Sequence, residues 1–148
     1  MINLLKGRLG RHRFHPMLIH FPSALYPFSV VMDSIFLSTG TAAFGTAGMY
    51  ALTGAVGMSV IAIIYGAIDF IRIDSKSKAW NTAGIHALLN VGWFIVYATL
   101  LFSRMKHPET AIGWIYLTIT WITTVGLFFS NYLGSNLIIK YRIGIDAE

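Results

Sequence analysis

The sequence predicts an all-α membrane protein, a four-transmembrane-helix up-down bundle forming one domain over 1–148. Three observations carry that expectation. The 148 residues are 55% hydrophobic and only 11% charged, with a mean hydropathy of +0.64, too little charge to clothe a soluble domain. Four apolar stretches reach the roughly 20 residues that a helix needs to cross a hydrocarbon core. Basic residues crowd one set of connections and thin out on the other, as the positive-inside rule requires.

The elements follow in order. A short basic arm, 1–14, holds Lys6, Arg8, Arg11 and Arg13. Within it Ile2, Leu5 and Leu9 form one apolar stripe, which predicts a segment lying along the membrane surface. The arm and the apolar run after it look like a signal peptide, but that run is too long for such a core and carries Asp33, so a retained helix is expected. The four spans are 16–37, 44–70, 83–102 and 111–132, the second long enough to tilt. A tail, 133–148, closes the chain. Connections are short, and no repeat is evident.

The arm, the second connection (Arg72, Lys76, Lys78) and the tail (Lys140, Arg142) place nine basic residues on one side, against Arg104 and Lys106 on the other. Both termini are therefore expected to be cytoplasmic, in a multi-pass protein of the cell inner (plasma) membrane. Topology and anionic lipid explain the basic balance without nucleic acid as a partner. The chain has no cysteine, which excludes disulfides, thiolate-ligated clusters and covalent c-type haem attachment.

The stretch HPMLIHFP, 15–22, carries most of the chemistry. Proline is tolerated in a first helical turn, so Pro16 predicts a helix start with His15 just outside. Pro22 and Pro27 lie inside the helix, where each frees the carbonyl four residues back, at Leu18 and Ser23. In lipid such carbonyls need other partners, so this half of the helix should face protein, cofactor or water. His15 and His20 are about 140° apart around a helix of 3.6 residues per turn, so they are not a zincin-like metal pair. Ala24, Pro27, Val31, Ser34 and Ser38 continue the face of His20. Small residues often line packing faces, so His20 is expected to point inward.

The third span offers a matching stripe: His86, Asn90, Trp93 and Tyr97 recur at helical spacing. His20 and His86 fall at similar depth on helices that are diagonal in an up-down bundle, with room between them. Two level, inward imidazoles are expected to ligate the two faces of one haem b, with His15 and Asn90 beside it and Arg11, Arg13 and Arg72 neutralising its propionates. The competing reading is a hydrogen-bonded pair with no cofactor. Asp33 shares a face with Tyr26 and is expected to be neutral or hydrogen-bonded inside the bundle, because a carboxylate facing lipid is expensive. Asp69 is expected in an ion pair with Arg72, or as the acceptor that orients a histidine. His12 and His107 read as interfacial. No nucleophile–base pair or complete metal motif supports an enzyme acting alone.

These motifs resemble a family of small four-helix prokaryotic membrane proteins catalogued as a domain of unknown function. Its opening motif, His-Pro-x-x-x-His-Phe-Pro, appears here as His15-Pro16 and His20-Phe21-Pro22. An aspartate follows a helix later, here Asp33. The second helix ends in Gly-x-x-Asp, here Gly66 to Asp69, and the third carries His-x-x-x-Asn, here His86 and Asn90. In the glycine-rich tail this chain departs, with Ser135 in place of a glycine and Ile139 in place of a tyrosine. The resemblance covers nearly the whole chain and implies a four-helix membrane protein. Some relatives are fused to Rieske-type or cytochrome-type redox domains, which implies electron transfer and strengthens the haem expectation.

The leading expectation is thus a haem b electron-transfer component near the cytoplasmic face. The alternatives are an accessory subunit of a larger membrane complex and a proton or ion conduit through Asp33, Asp69 and the histidines. The partners implied are the lipid bilayer, other redox or membrane-complex subunits, and a second copy of the chain in a homo-oligomer.

Overall fold

The computed structural model describes residues 2–3, 7–9, 12–107 and 112–143. Three two-residue strands, β1 (Ile2–Asn3), β2 (Arg8–Leu9) and β3 (His12–Arg13), pair antiparallel in that order. Where it is described the arm is strand: Ile2 lies opposite Leu9 across a strand pair, and Leu5 lies outside the described residues. Gly7 adopts φ +63° with Tyr65 of the second long helix beneath it, and its carbonyl accepts the Phe14 amide at 2.8 Å.

Five helices follow: α1 (Phe14–Leu18), α2 (His20–Thr39), α3 (Ala42–Phe70), α4 (Lys78–Lys106) and α5 (Trp114–Ile139). The first expected span is divided between α1 and α2 at Ile19. Pro22 explains the break, since it has no N–H to give the Leu18 carbonyl. The helix begins at Phe14, so His15 and Pro16 sit inside its first turn and not before it. Helix α2 stops at Gly40, whose φ of +69° lets its amide return to the Phe36 carbonyl at 2.8 Å, the left-handed cap that glycine provides without strain. Asp74 and Ser77 shape the next connection, and Ser77 Oγ caps α4 by accepting the Trp80 amide. Helix α5 continues through Ile139, so the first part of the expected tail is helical.

Helices α3, α4 and α5 are each long and apolar enough to cross a membrane. Helix α2 has 20 residues but buries Tyr26, Ser29 and Asp33 along one face. Around the bundle the outward surface is apolar: Leu88, Ile95 and Phe102 on α4 and Ile115, Ile122, Val125 and Phe129 on α5 are all exposed. Hydroxyls and charges, including Thr120, Thr123, Thr124, Ser130, Asp33 and Arg104, lie inside. Apolar outside and polar inside is the arrangement lipid imposes.

The interior is organised along one line between α1–α2 and α4, which run in the same direction. His15 faces His86 with ring centroids 6.4 Å apart. About 16 Å further on, at 1.5 Å per residue, Tyr26 stacks on Tyr97 at 3.8 Å and 12°. About 10 Å beyond that, Asp33 meets Arg104 at 2.8 Å. Each pair is separated by the same 71 residues. Leu52, Ala55, Leu101 and Leu127 pack around the tyrosines, and with them form the apolar core.

Candidate functional site

The buried face of α2 sets the site. Pro22, Tyr26, Ser29 and Asp33 recur at helical spacing on that face, and counting back two turns from Pro22 reaches His15. His20 lies on the opposite side and is exposed, as are Ala24, Val31 and Ser38. The expected partnership of His20 with His86 is therefore corrected: His15 meets His86. Small residues misled the expectation, because on α2 they face outward. The groups that must avoid lipid, a tyrosine hydroxyl and a carboxylate, decide which face turns in.

The two imidazoles are held alike. His15 Nδ1 lies 2.9 Å from the Ala62 carbonyl on α3, and His86 Nδ1 lies 2.8 Å from the Ser130 carbonyl on α5. A carbonyl only accepts, so both rings carry a proton on Nδ1, and in the neutral form Nε2 keeps its lone pair. Both rings lie against a glycine one turn beyond the carbonyl. A Cβ at Gly66 would come 2.9 Å from His15 Cε1, and one at Gly134 would come 2.7 Å from His86 Cε1. Larger residues would push the rings off their acceptors.

Asn90 donates to the His86 carbonyl at 2.8 Å and to Ser130 Oγ at 2.7 Å, fixing the α4–α5 side of the pair. Its amide nitrogen is also 3.4 Å from His86 Nε2. Of the small buried residues of α3, Ala62 offers its carbonyl to His15 and Ser59 meets the Tyr26 hydroxyl. On the α4 side Trp93 packs into the notch at Gly126, and its buried Nε1 has no acceptor among the described residues. At the outer edge of the histidine layer, Arg13 binds Asp69 at 2.8 Å, with Arg72 3.9 Å from the same carboxylate oxygen. Asp69 therefore serves arginines and not a histidine ring, and two guanidiniums share one carboxylate there. Arg11 lies outside the described residues.

The far end of the line is of another kind. Asp33 is fully buried and Arg104 nearly so. Asp33 Oδ2 accepts from Arg104 Nη1 at 2.8 Å and from Tyr116 Oη at 3.1 Å. Arg104 Nη2 donates to the Gly45 carbonyl. Gly48 makes room for the carboxylate, since a Cβ there would fall on Asp33 Oδ1. Asp33 is thus hydrogen-bonded inside the bundle, as expected, with Arg104 beside it as a counter-charge. Arg104 belongs to the bundle and not to the outer connection where its charge was counted.

Sequence reasoning missed Arg104, the Tyr26–Tyr97 stack and the two glycines. The signal for Arg104 was available: the stripe His86, Asn90, Trp93, Tyr97 extends two turns further to that residue. Among the described residues no three His, Asp or Glu side chains gather to hold a metal ion. Among the described residues Ser29 Oγ and Asp33 Oδ1 are buried without a hydrogen-bond partner, and the opposed imidazoles each turn Nδ1 to a main-chain carbonyl.

The chain belongs to the family described as predicted membrane protein (DUF2231), which it matches over residues 11–147. Neither the curated proteins nor the solved structures hold a match to it.

Proposed function

We propose that the chain crosses the membrane four times, with both termini cytoplasmic, and holds one haem b between His15 and His86 as an electron-transfer component. The observation that carries this reading is the pair of opposed imidazoles, each with Nδ1 at a main-chain carbonyl. Metal–imidazole bonds run about 2 Å, so with half a ring on each side two trans imidazoles put their centroids roughly 6 Å apart, close to the 6.4 Å found. A bare zinc ion takes three or four protein ligands, and two histidines do not supply them. A haem, if bound, would need two ligands from the protein, and His15 and His86 would be those ligands.

The surroundings suit the same group. Each Nδ1–H is given to a main-chain carbonyl, which fixes the tautomer and makes Nε2 a better ligand. Gly66 and Gly134 let the rings lie close against α3 and α5. Arg13 and Arg72 bring guanidinium groups to the edge of the histidine layer beside Asp69, where acidic substituents of the group would lie. The haem supplies one-electron transfer when bound. The chain supplies ligands, burial and charge.

The absorption spectrum of the full-length protein, purified after expression with ample haem, tests the proposal. Low-spin b-type bands that respond to reductant are expected. Folded, monodisperse protein that remains colourless overturns it, and the histidines are then pins holding α1 to α3 and α4 to α5, in an accessory membrane subunit. Orientation is tested separately by reporter fusions at both termini and near Lys76, all expected to report cytoplasm.

A further inference from the structure

We infer that the chain is one helical hairpin present twice, and that the candidate site is built across the two copies. Each copy supplies an imidazole, the carbonyl that receives its Nδ1–H, and a glycine against the ring. The first copy is α1 to α3, and the second is α4 with α5.

Any up-down four-helix bundle has an approximate two-fold axis along its length, whatever its sequence. Here the same groups recur at a fixed offset. His15 corresponds to His86 and Tyr26 to Tyr97, each 71 places on, and both pairs meet across the axis, the tyrosines stacked and the imidazoles edge-on. On the returning helices Ala62 corresponds to Ser130 and Gly66 to Gly134, with one offset common to both. The tyrosine hydroxyls are treated alike too. Tyr26 Oη is 3.0 Å from Ser59 Oγ on α3, and Tyr97 Oη is 2.6 Å from Thr124 Oγ1 on α5.

Exposure obeys the same rule. From 15 to 33, every residue is buried, half-buried or exposed as is the residue 71 places on, except Pro22 and Ser29, which are buried where Trp93 and Leu100 are half-buried. Parallel repeats about an axis along the membrane normal are a known way of building membrane proteins, with weak internal sequence similarity.

The place where the copies differ is the place where they must. On a two-fold axis, a residue faces its own counterpart. Histidine facing histidine and tyrosine facing tyrosine are neutral and compatible. Two aspartates or two arginines in a membrane interior are not, because like charges cannot both ionise there. At the third pair the copies accordingly carry opposite charges, Asp33 and Arg104. Their neighbours diverge to match, with Gly48 giving Asp33 room and Tyr116 donating to it. A two-fold site holds its ligand from two equivalent sides, which suits one metal centre with two open trans positions. That last step rests on the haem reading, and the duplication does not.

With no cysteine in the chain, spin labels can be placed in the full-length protein two at a time. Ala24→Cys with Val60→Cys spans the first copy. Ile95→Cys with Phe128→Cys spans the second at corresponding, equally exposed positions. The two distance distributions should coincide, as should those of the crossed pairs, 24 with 128 and 95 with 60. Unequal distances in either comparison overturn the duplication, with or without haem. The shared site is tested apart. Gly66→Ala and Gly134→Ala should each weaken haem retention about 10- to 100-fold, as disturbing a ligand's support does, and to a similar degree. An effect at one glycine alone overturns the shared site and leaves the duplication standing. In a protein that binds no haem, the same variants are compared by unfolding midpoint. Equal falls then support two equivalent half-sites, and a fall at one glycine alone overturns them.

Discussion

The two ends of the interior line, His15–His86 and Asp33–Arg104, share the same helices and the same register and do opposite things. At the far end, the carboxylate and guanidinium use each other, and Tyr116 and the Gly45 carbonyl take further bonds. At the near end, each imidazole spends one nitrogen on a carbonyl of the returning helix and keeps the other. The first is a lock and the second a socket. A buried pair of opposite charge holds helices together, here with Asp33 Oδ1 left without a hydrogen-bond partner among the described residues, whereas a pair held by its scaffold keeps capacity for a ligand.

That contrast predicts its largest effect at the lock. Asp33→Leu or Arg104→Leu alone leaves one uncompensated charge and should cost about 3–5 kcal/mol, read by denaturant unfolding in mild detergent. The double variant should recover most of the loss. Asp33→Asn should also destabilise, because it keeps the shape but strips Arg104 of its counter-charge. Single variants as stable as the parent would mean that water reaches the pair and it locks nothing.

At the socket the cost to folding should be smaller. His86→Ala removes the bond to the Ser130 carbonyl and leaves that acceptor buried, worth about 1–3 kcal/mol, measured in the same unfolding experiment without haem. A loss as large as that of Asp33→Leu would erase the distinction between the two ends. The smallest effects belong to the middle of the line. Tyr26→Phe gives up one hydroxyl contact, to Ser59, and should cost about 1 kcal/mol. Tyr97→Phe, which gives up its contact to Thr124, should do the same. A marked difference between these two would count against the equivalence of the hairpins.

Much of the architecture was legible in the sequence, because hydropathy reports helices directly. The stripe His86, Asn90, Trp93, Tyr97 was legible as well, since its polar members share one helical face. On α2 two criteria competed: small residues favoured the face of His20, while Tyr26 and Asp33 marked the face of His15. The second prevailed, because lipid tolerates an outward alanine or serine and does not tolerate a carboxylate. Arg104 was missed because a charge near the end of a span reads as a connection. In the folded chain α4 continues past it to Lys106, and Asp33 supplies the counter-charge. The duplication was hidden because few side chains coincide between copies. What repeats is the pattern of burial and the few groups on the axis, and those become visible only once facing residues are known.

The measurement that tests the central claim most directly is the visible spectrum of His15→Ala beside that of His20→Ala, each expressed in the full-length chain with haem supplied. The two residues are neighbours in one motif, yet only His15 shares the axis with His86. The low-spin bands should vanish in His15→Ala and persist unchanged in His20→Ala. Bands lost with His20 and kept with His15 would contradict the account, and would mean that the ligand is held from the other face of α2.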